Sequence, residues 1–130
     1  GKILKKGKKI AFLHLGTRLK KVLEINEMIK NHHKLNCTVV DMRFAKPIDT
    51  KLIQNLNKTH DIFITIEENA IGGFSSQVND FLINKLNKTP KILNFFMKDE
   101  FIDQSDIDDQ YNKSGISKEL IFDKVSMLLK

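Results

Sequence analysis

Two polar blocks hold the residue types that could bind or transfer something. The first runs Asp41-Met42-Arg43-Phe44-Ala45-Lys46-Pro47-Ile48-Asp49, the second Thr65-Ile66-Glu67-Glu68-Asn69-Ala70-Ile71-Gly72-Gly73-Phe74. Arg43 and Lys46 are cations suited to a carboxylate or phosphate, and Glu67 and Glu68 are carboxylates able to move protons or pair with a cation. Gly72-Gly73 at a strand-to-helix turn could let an anion approach backbone N–H groups, or could simply supply positive φ in a tight turn. The second block has no Gly-x-Gly-x-x-Gly and no phosphate-loop Gly-Lys-Ser/Thr, so a nucleotide site is weakly supported. Adjacent glutamates buried without partners would be unfavourable, and Arg43 is the expected ion-pair partner of one of them. That pair could be structural or catalytic.

Other chemistry finds little footing. Ser75, Ser76 and Ser126 have no histidine near them in sequence, and no Cys/His set has metal-ligand spacing. Neighbouring residues on a helix point in different directions, so His32-His33 read as a helix C-terminus facing solvent, where positive charge suits the dipole. Cys37 is the lone cysteine, which forbids an intrachain disulfide and suits a reducing compartment. No catalytic, cofactor or metal residue is assigned.

The elements that must position these blocks follow from periodicity. Ile10–Leu15, Cys37–Met42, Ile62–Ile66 and Lys91–Phe96 are short apolar runs rich in β-branched and aromatic residues, as in buried strands. Between them, Leu19, Val22, Leu23, Ile25, Met28 and Ile29 recur at helical spacing, as do Leu52, Ile53 and Leu56, and then Phe74, Val78, Phe81, Leu82 and Leu86. A final stripe joins Leu120, Ile121, Val125, Leu128 and Leu129. Thr17, Asp49 and Ser117 precede helical stretches as N-caps. Asp99 to Asp109 reads as an acidic connection, with Gly115 ending a short helical turn. Ile3-Leu4, a Gly7 turn and Ile10–Leu15 suggest an opening antiparallel hairpin.

Alternation of strands and helices predicts an α/β fold. It is a three-layer αβα sandwich around a mostly parallel five-stranded sheet, with parallel strands near 9–15, 37–42, 61–67 and 91–96 and an antiparallel edge near 2–6. Loops leaving the carboxyl ends of parallel strands gather on one rim, where binding usually happens. Arg43, Lys46, Glu67, Glu68, Asn69, Gly72 and Gly73 should share that rim.

The 130 residues fit one compact domain, and hydrophobic content of 41% with 29% charged residues is ordinary for a globular chain. No apolar run approaches the roughly 20 residues that cross a bilayer, and no signal-peptide pattern opens the chain. The net charge of +6 is carried by scattered lysines, without aromatics interleaved to stack bases. Neither nucleic acid nor membrane is an expected partner. The chain opens on Gly1 rather than Met, which reads as a piece of something longer.

Taken together and in order, the two blocks resemble the C-terminal domain of the 1-deoxy-D-xylulose-5-phosphate synthases, in the transketolase superfamily. Leu15-Gly16-Thr17, Thr59-His60-Asp61, Phe101-Ile102-Asp103-Gln104 and Ser114-Gly115-Ile116-Ser117 extend the likeness along nearly the whole chain. Two departures stand out. The turn at Ile71-Gly72 is one residue shorter than in many bacterial members and closer to plastid-type sequences, and Ser105 stands where the family usually has Gly.

The resemblance implies an enzyme that condenses pyruvate with D-glyceraldehyde 3-phosphate with loss of CO2, in the non-mevalonate isoprenoid pathway and linked to thiamine biosynthesis. Thiamin diphosphate and Mg²⁺ would serve the full-length enzyme from its first two domains, whose motifs do not occur here, so this chain would be the non-catalytic third domain. Its partners would be the other two domains, in a homodimer. A plastid is implied for a eukaryotic source and the cytoplasm for a bacterial one. Two other readings compete: a regulatory ligand-binding module using the Arg43, Glu67 and Gly72 rim, and the C-terminal domain of a 2-oxoacid dehydrogenase β-subunit. Glu68-Asn69-Ala70 favours the synthase over the latter.

Overall fold

A computed structural model describes residues 1–17, 19–44, 47–68, 73–97 and 117–130. The strands are β1 (Lys2–Lys5), β2 (Lys9–Leu15), β3 (Thr38–Asp41), β4 (His60–Glu68) and β5 (Lys91–Met97). The helices are α1 (Leu19–His33), α2 (Thr50–Asn57), α3 (Phe74–Asp80) and α4 (Lys118–Leu128). A 3₁₀ turn over Met42–Phe44 follows β3, and a π-helical turn over Phe81–Lys85 prolongs α3.

The strands form one sheet in the order β1-β3-β2-β4-β5, parallel except for β1 against β3. The two apolar faces of the strands each need cover, and the helices divide between them. On one face Phe12, Val39, Ile62, Ile64 and Ile66 meet Val22, Ile25 and Ile29 of α1 and Ile121 and Val125 of α4. On the other, Ala11, Leu13, Val40 and Phe63 meet Ile53 and Leu56 of α2 and Phe74, Val78 and Leu82 of α3. The side division follows from right-handed crossovers: β2 to β3 steps one way across the sheet, and β3 to β4 to β5 steps the other. Each fully buried side chain of this size stabilises by about 1.5–3 kcal/mol relative to exposure. The αβα sandwich expected from the alternation is the fold found.

The opening hairpin is not. β1 pairs with β3, Lys2 opposite Asp41 and Ile3 opposite Val40, and not with the strand that follows it. The chain leaves β1 and passes across the start of β3 before entering β2. Gly7 makes the crossing: its N–H donates to Thr38 Oγ1, and a Cβ there would lie 2.1 Å from Asn36 O. The Gly7 turn is therefore a close backbone crossing rather than a hairpin bend.

Two caps lie where expected. Asp49 accepts from Leu52 N–H at 3.1 Å and Ser117 accepts from Leu120 N–H at 3.1 Å. The Leu52 N–H, with the amino group of Gly1, holds the Asp49 carboxyl below the usual carboxylate range. Thr17 instead turns to β4. The acidic connection and the Gly115 turn lie outside the described residues.

Candidate functional site

The strand order reverses between β2 and β4: the chain moves from β2 to β3 on one side and later to β4 and β5 on the other. Ligands of open α/β sheets bind outside the carboxyl ends of the strands at such a point. Here the point is bounded by His14, Gly16 and Thr17 from the end of β2 and by Glu67 and Glu68 from the end of β4.

Successive side chains of a strand leave opposite faces, so the two glutamates part company. Glu67 turns to the α3 face. Its carboxylate accepts from Phe74 N–H at 3.2 Å, Ser75 N–H at 3.3 Å and Ser75 Oγ at 3.2 Å. The residue before this helix, Gly73, is left-handed at φ 71° and has no side chain to offer. Glu67 thus does from β4 what an N-cap side chain would do locally, bringing negative charge to the positive helix end. For Gly73, positive φ is the reason for glycine.

Glu68 turns to the α1 face. Its Oε2 accepts from Thr17 N–H at 2.7 Å and Thr17 Oγ1 at 3.1 Å, while Oε1 stands 3.5 Å from His14 Nε2. Gly16 has φ 149°, and a Cβ there would lie 2.4 Å from the Glu68 carboxyl carbon. Both glutamates are nearly inaccessible to water, with relative exposures of 1% and 3%.

Arg43 does not fill the role expected of it. Among the described residues its ion pair is with Asp41: Arg43 N–H and Nε–H donate to the Asp41 carboxylate at 3.0 and 3.2 Å, and Nη2 is 3.2 Å from Oδ2. The pairing is local because the 3₁₀ turn after β3 folds Arg43 back over the residue two places before it. Among the described residues, backbone and hydroxyl donors reach both glutamates. The Arg43 side chain is half exposed while Asp41 is buried. Lys46, Asn69 and Gly72 lie outside the described residues.

Sequence reasoning missed His14, Thr17 and Ser75 as members of this rim. His14 was legible in one respect: it shares parity with Ile10 and Phe12 and so had to point into the core. On the α3 face a second polar layer escaped notice, in which Asn94 donates to Thr65 Oγ1 at 2.6 Å and exchanges hydrogen bonds with Asn79. His32 and His33 flank Phe122, and His33 Nε2 lies 2.8 Å from Ser126 Oγ, so the pair helps seat α4. Burial pushes the Cys37 thiol up to about 12, which leaves it inert as a nucleophile.

The rim's chemistry is accordingly self-directed. At the start of α3 the Phe74 and Ser75 N–H groups are taken by Glu67, and in the β2–α1 turn the Thr17 N–H is taken by Glu68. No three His, Cys, Asp or Glu side chains among the described residues converge where a metal ion could sit. The described residues therefore do not fit a diphosphate with its Mg²⁺. Among them, no helix is long and apolar enough to cross a membrane.

Comparison with known proteins gives the family. Residues 1–121 match the family model described as transketolase, C-terminal domain. The chain is 40% identical over 126 residues to a 1-deoxy-D-xylulose-5-phosphate synthase of Psychromonas ingrahamii, and 39% identical over 124 residues to that of Haemophilus influenzae. These alignments take in 92% and 95% of the chain but 19% of each relative, so the chain spans about a fifth of the relatives' length. Among solved structures, a protein titled "Split gene transketolase, inactive beta4 tetramer" superposes with a TM-score of 0.76 at 28% identity, over 96% of this chain and 40% of that one.

Proposed function

The chain belongs to the transketolase C-terminal domain family, and from that premise we propose that residues 1–130 are the non-catalytic third domain of a 1-deoxy-D-xylulose-5-phosphate synthase. The whole enzyme would join pyruvate to D-glyceraldehyde 3-phosphate with loss of CO2, supplying isoprenoid and thiamine biosynthesis. Thiamin diphosphate and Mg²⁺ would be held by the other two domains. The observation that carries the reading is the match itself: about 40% identity along nearly all of this chain, to a fifth of each synthase.

The site supports the non-catalytic part. A rim whose backbone donors are already bonded to its own glutamates is built to hold shape. The same fact weighs against Glu67 as a ligand-binding member of a regulatory module on the Arg43, Glu67 and Gly72 rim. In the synthase, the exposed Arg43 with Lys46, Asn69 and Gly72 would face the other domains, and the enzyme would work as a homodimer. The compartment follows lineage: the shortened turn before Gly73 supports a plastid-type chain, and a bacterial source would place it in the cytoplasm.

Calorimetric titration of the isolated chain with thiamin diphosphate and Mg²⁺ tests this. No saturable heat is expected, and no turnover of pyruvate with glyceraldehyde 3-phosphate. Saturable binding at micromolar cofactor would place catalytic equipment in this domain and overturn the reading.

A further inference from the structure

On the face covered by α1 and α4, the end of β2 carries an imidazole beside a carboxylate, without a close hydrogen bond among the described residues. His14 is wholly buried, and among the described residues neither Nδ1 nor Nε2 has a hydrogen-bond partner of good geometry within 3.5 Å. Buried polar groups are normally satisfied, because an unpaired one gives up hydration and receives nothing for it. This one stands at the reversal point of the sheet, between two buried carboxylates. Glu68 Oε1 is 3.5 Å from Nε2, and Asp41 lies beside His14 in the β2–β3 register.

The two carboxylates are not equivalent. Asp41 is bonded to Arg43 through backbone and side chain. Glu68 instead fastens the turn that opens α1, through Thr17 N–H and Oγ1 on its other oxygen. Gly16, lying against that carboxyl group, leaves no space for a side chain between them. Whatever moves the Glu68 carboxylate must therefore move the β2–α1 turn.

We propose that His14 and Glu68 form a proton-operated clamp on the β2–α1 turn. When solvent supplies a proton, both ring nitrogens carry hydrogen, Nε2–H donates to Glu68 Oε1, and the carboxylate is drawn toward the ring. Its hold on Thr17 through Oε2 then changes geometry. When the proton leaves, the ring's charge no longer pulls on Oε1, and Oε2 keeps its bonds to Thr17. Among the described residues, the charged groups bearing on the ring are Glu68 from β4, Asp41 from β3 and Arg43 from the turn after β3. From α1 and α4 the described side chains buried on this face carry no charge: Val22, Ile25, Ile29, Ile121 and Val125 are apolar, and Asn26 accepts from Cys37 N–H.

Burial holds the His14 pKa below the ordinary imidazole value of 6.5, while Glu68 and then Asp41 pull it back up. The clamp therefore acts on the acid side of that value. It would make the rim at the sheet's reversal point a sensor of acidification. The inference rests on this chain's own geometry and not on its assignment to the synthase.

NMR of the 130-residue chain from about pH 8 to about pH 4.5 tests it. The His14 ring resonances should titrate with a midpoint below 6.5, and the Thr17 amide should shift with the same midpoint. In Glu68→Gln the His14 midpoint should fall further, because the attracting charge is gone, and the coupled Thr17 shift should vanish. Should that variant fail to fold, His14→Gln serves instead: Thr17 should then show no transition. A wild-type Thr17 amide that ignores the His14 midpoint, or a Thr17 transition that survives His14→Gln, would overturn the clamp.

Discussion

Glu67 and Glu68 share a peptide bond but not an environment, because the pleat sends them to opposite faces of the sheet, and each is therefore satisfied by a separate set of donors. Removing one exposes what it holds. Glu67→Ala would leave Phe74 N–H and Ser75 N–H buried at the start of α3, and each unsatisfied donor costs about 1–3 kcal/mol. A fall in the urea midpoint without a change in slope is the expected signature. Gly16→Ala should be at least as damaging, since the residue sits at φ 149° with the Glu68 carboxyl in the way; backbone strain alone is worth about 1–3 kcal/mol. His14 sets a pH dependence. Its folded pKa lies below 6.5, chiefly through burial, so as pH falls the unfolded chain takes up the proton first. Stability should be full above that value, decline as pH drops from 6.5 toward the folded pKa, and gain nothing from this group on further acidification. Denaturation midpoints of wild type and His14→Gln across that window should converge at neither end but run with different slopes, the wild type being the steeper. Parallel slopes would show that the ring does not titrate as described.

At the scale of elements, the alternation of apolar runs with helical stripes was enough to place every described strand to within a residue or so, because burial on both faces of a parallel sheet demands such runs. Pairing partners were harder. Ile3-Leu4, Gly7 and Ile10 read naturally as a hairpin, and nothing local in those residues reveals that Asn36 and Thr38 wait at the crossing. Gly7→Ala should accordingly loosen β1 from β3 without unfolding the remainder, detectable as faster amide exchange confined to residues 2–5 and their β3 partners. The Arg43 pairing was misjudged for a related reason. A shared rim sets approximate proximity, but the 3₁₀ turn after Asp41 decides which carboxylate the guanidinium meets. Because solvent reaches that guanidinium, Arg43→Ala should destabilise by only about 0–1 kcal/mol, read from the same midpoints; a loss several times larger would mean that Asp41 depends on the cation for its burial.

For the molecule as a whole, the account is that a doubly wound sheet sets its own glutamates against the described backbone donors at the carboxyl ends of β2 and β4. The family was legible because two blocks with distinctive residues recur in order, whereas the internal capping by Glu67 and Glu68 required the third dimension: nothing along the chain says that Thr17 and Glu68 meet. The central claim is that this chain completes a synthase rather than acting alone. The most direct test joins it, in place of the native C-terminal domain, to the remainder of the Haemophilus influenzae 1-deoxy-D-xylulose-5-phosphate synthase and measures product formed from pyruvate and D-glyceraldehyde 3-phosphate. The account predicts activity well above that of the same enzyme lacking its C-terminal domain. A folded chimera no more active than the truncated enzyme would contradict it.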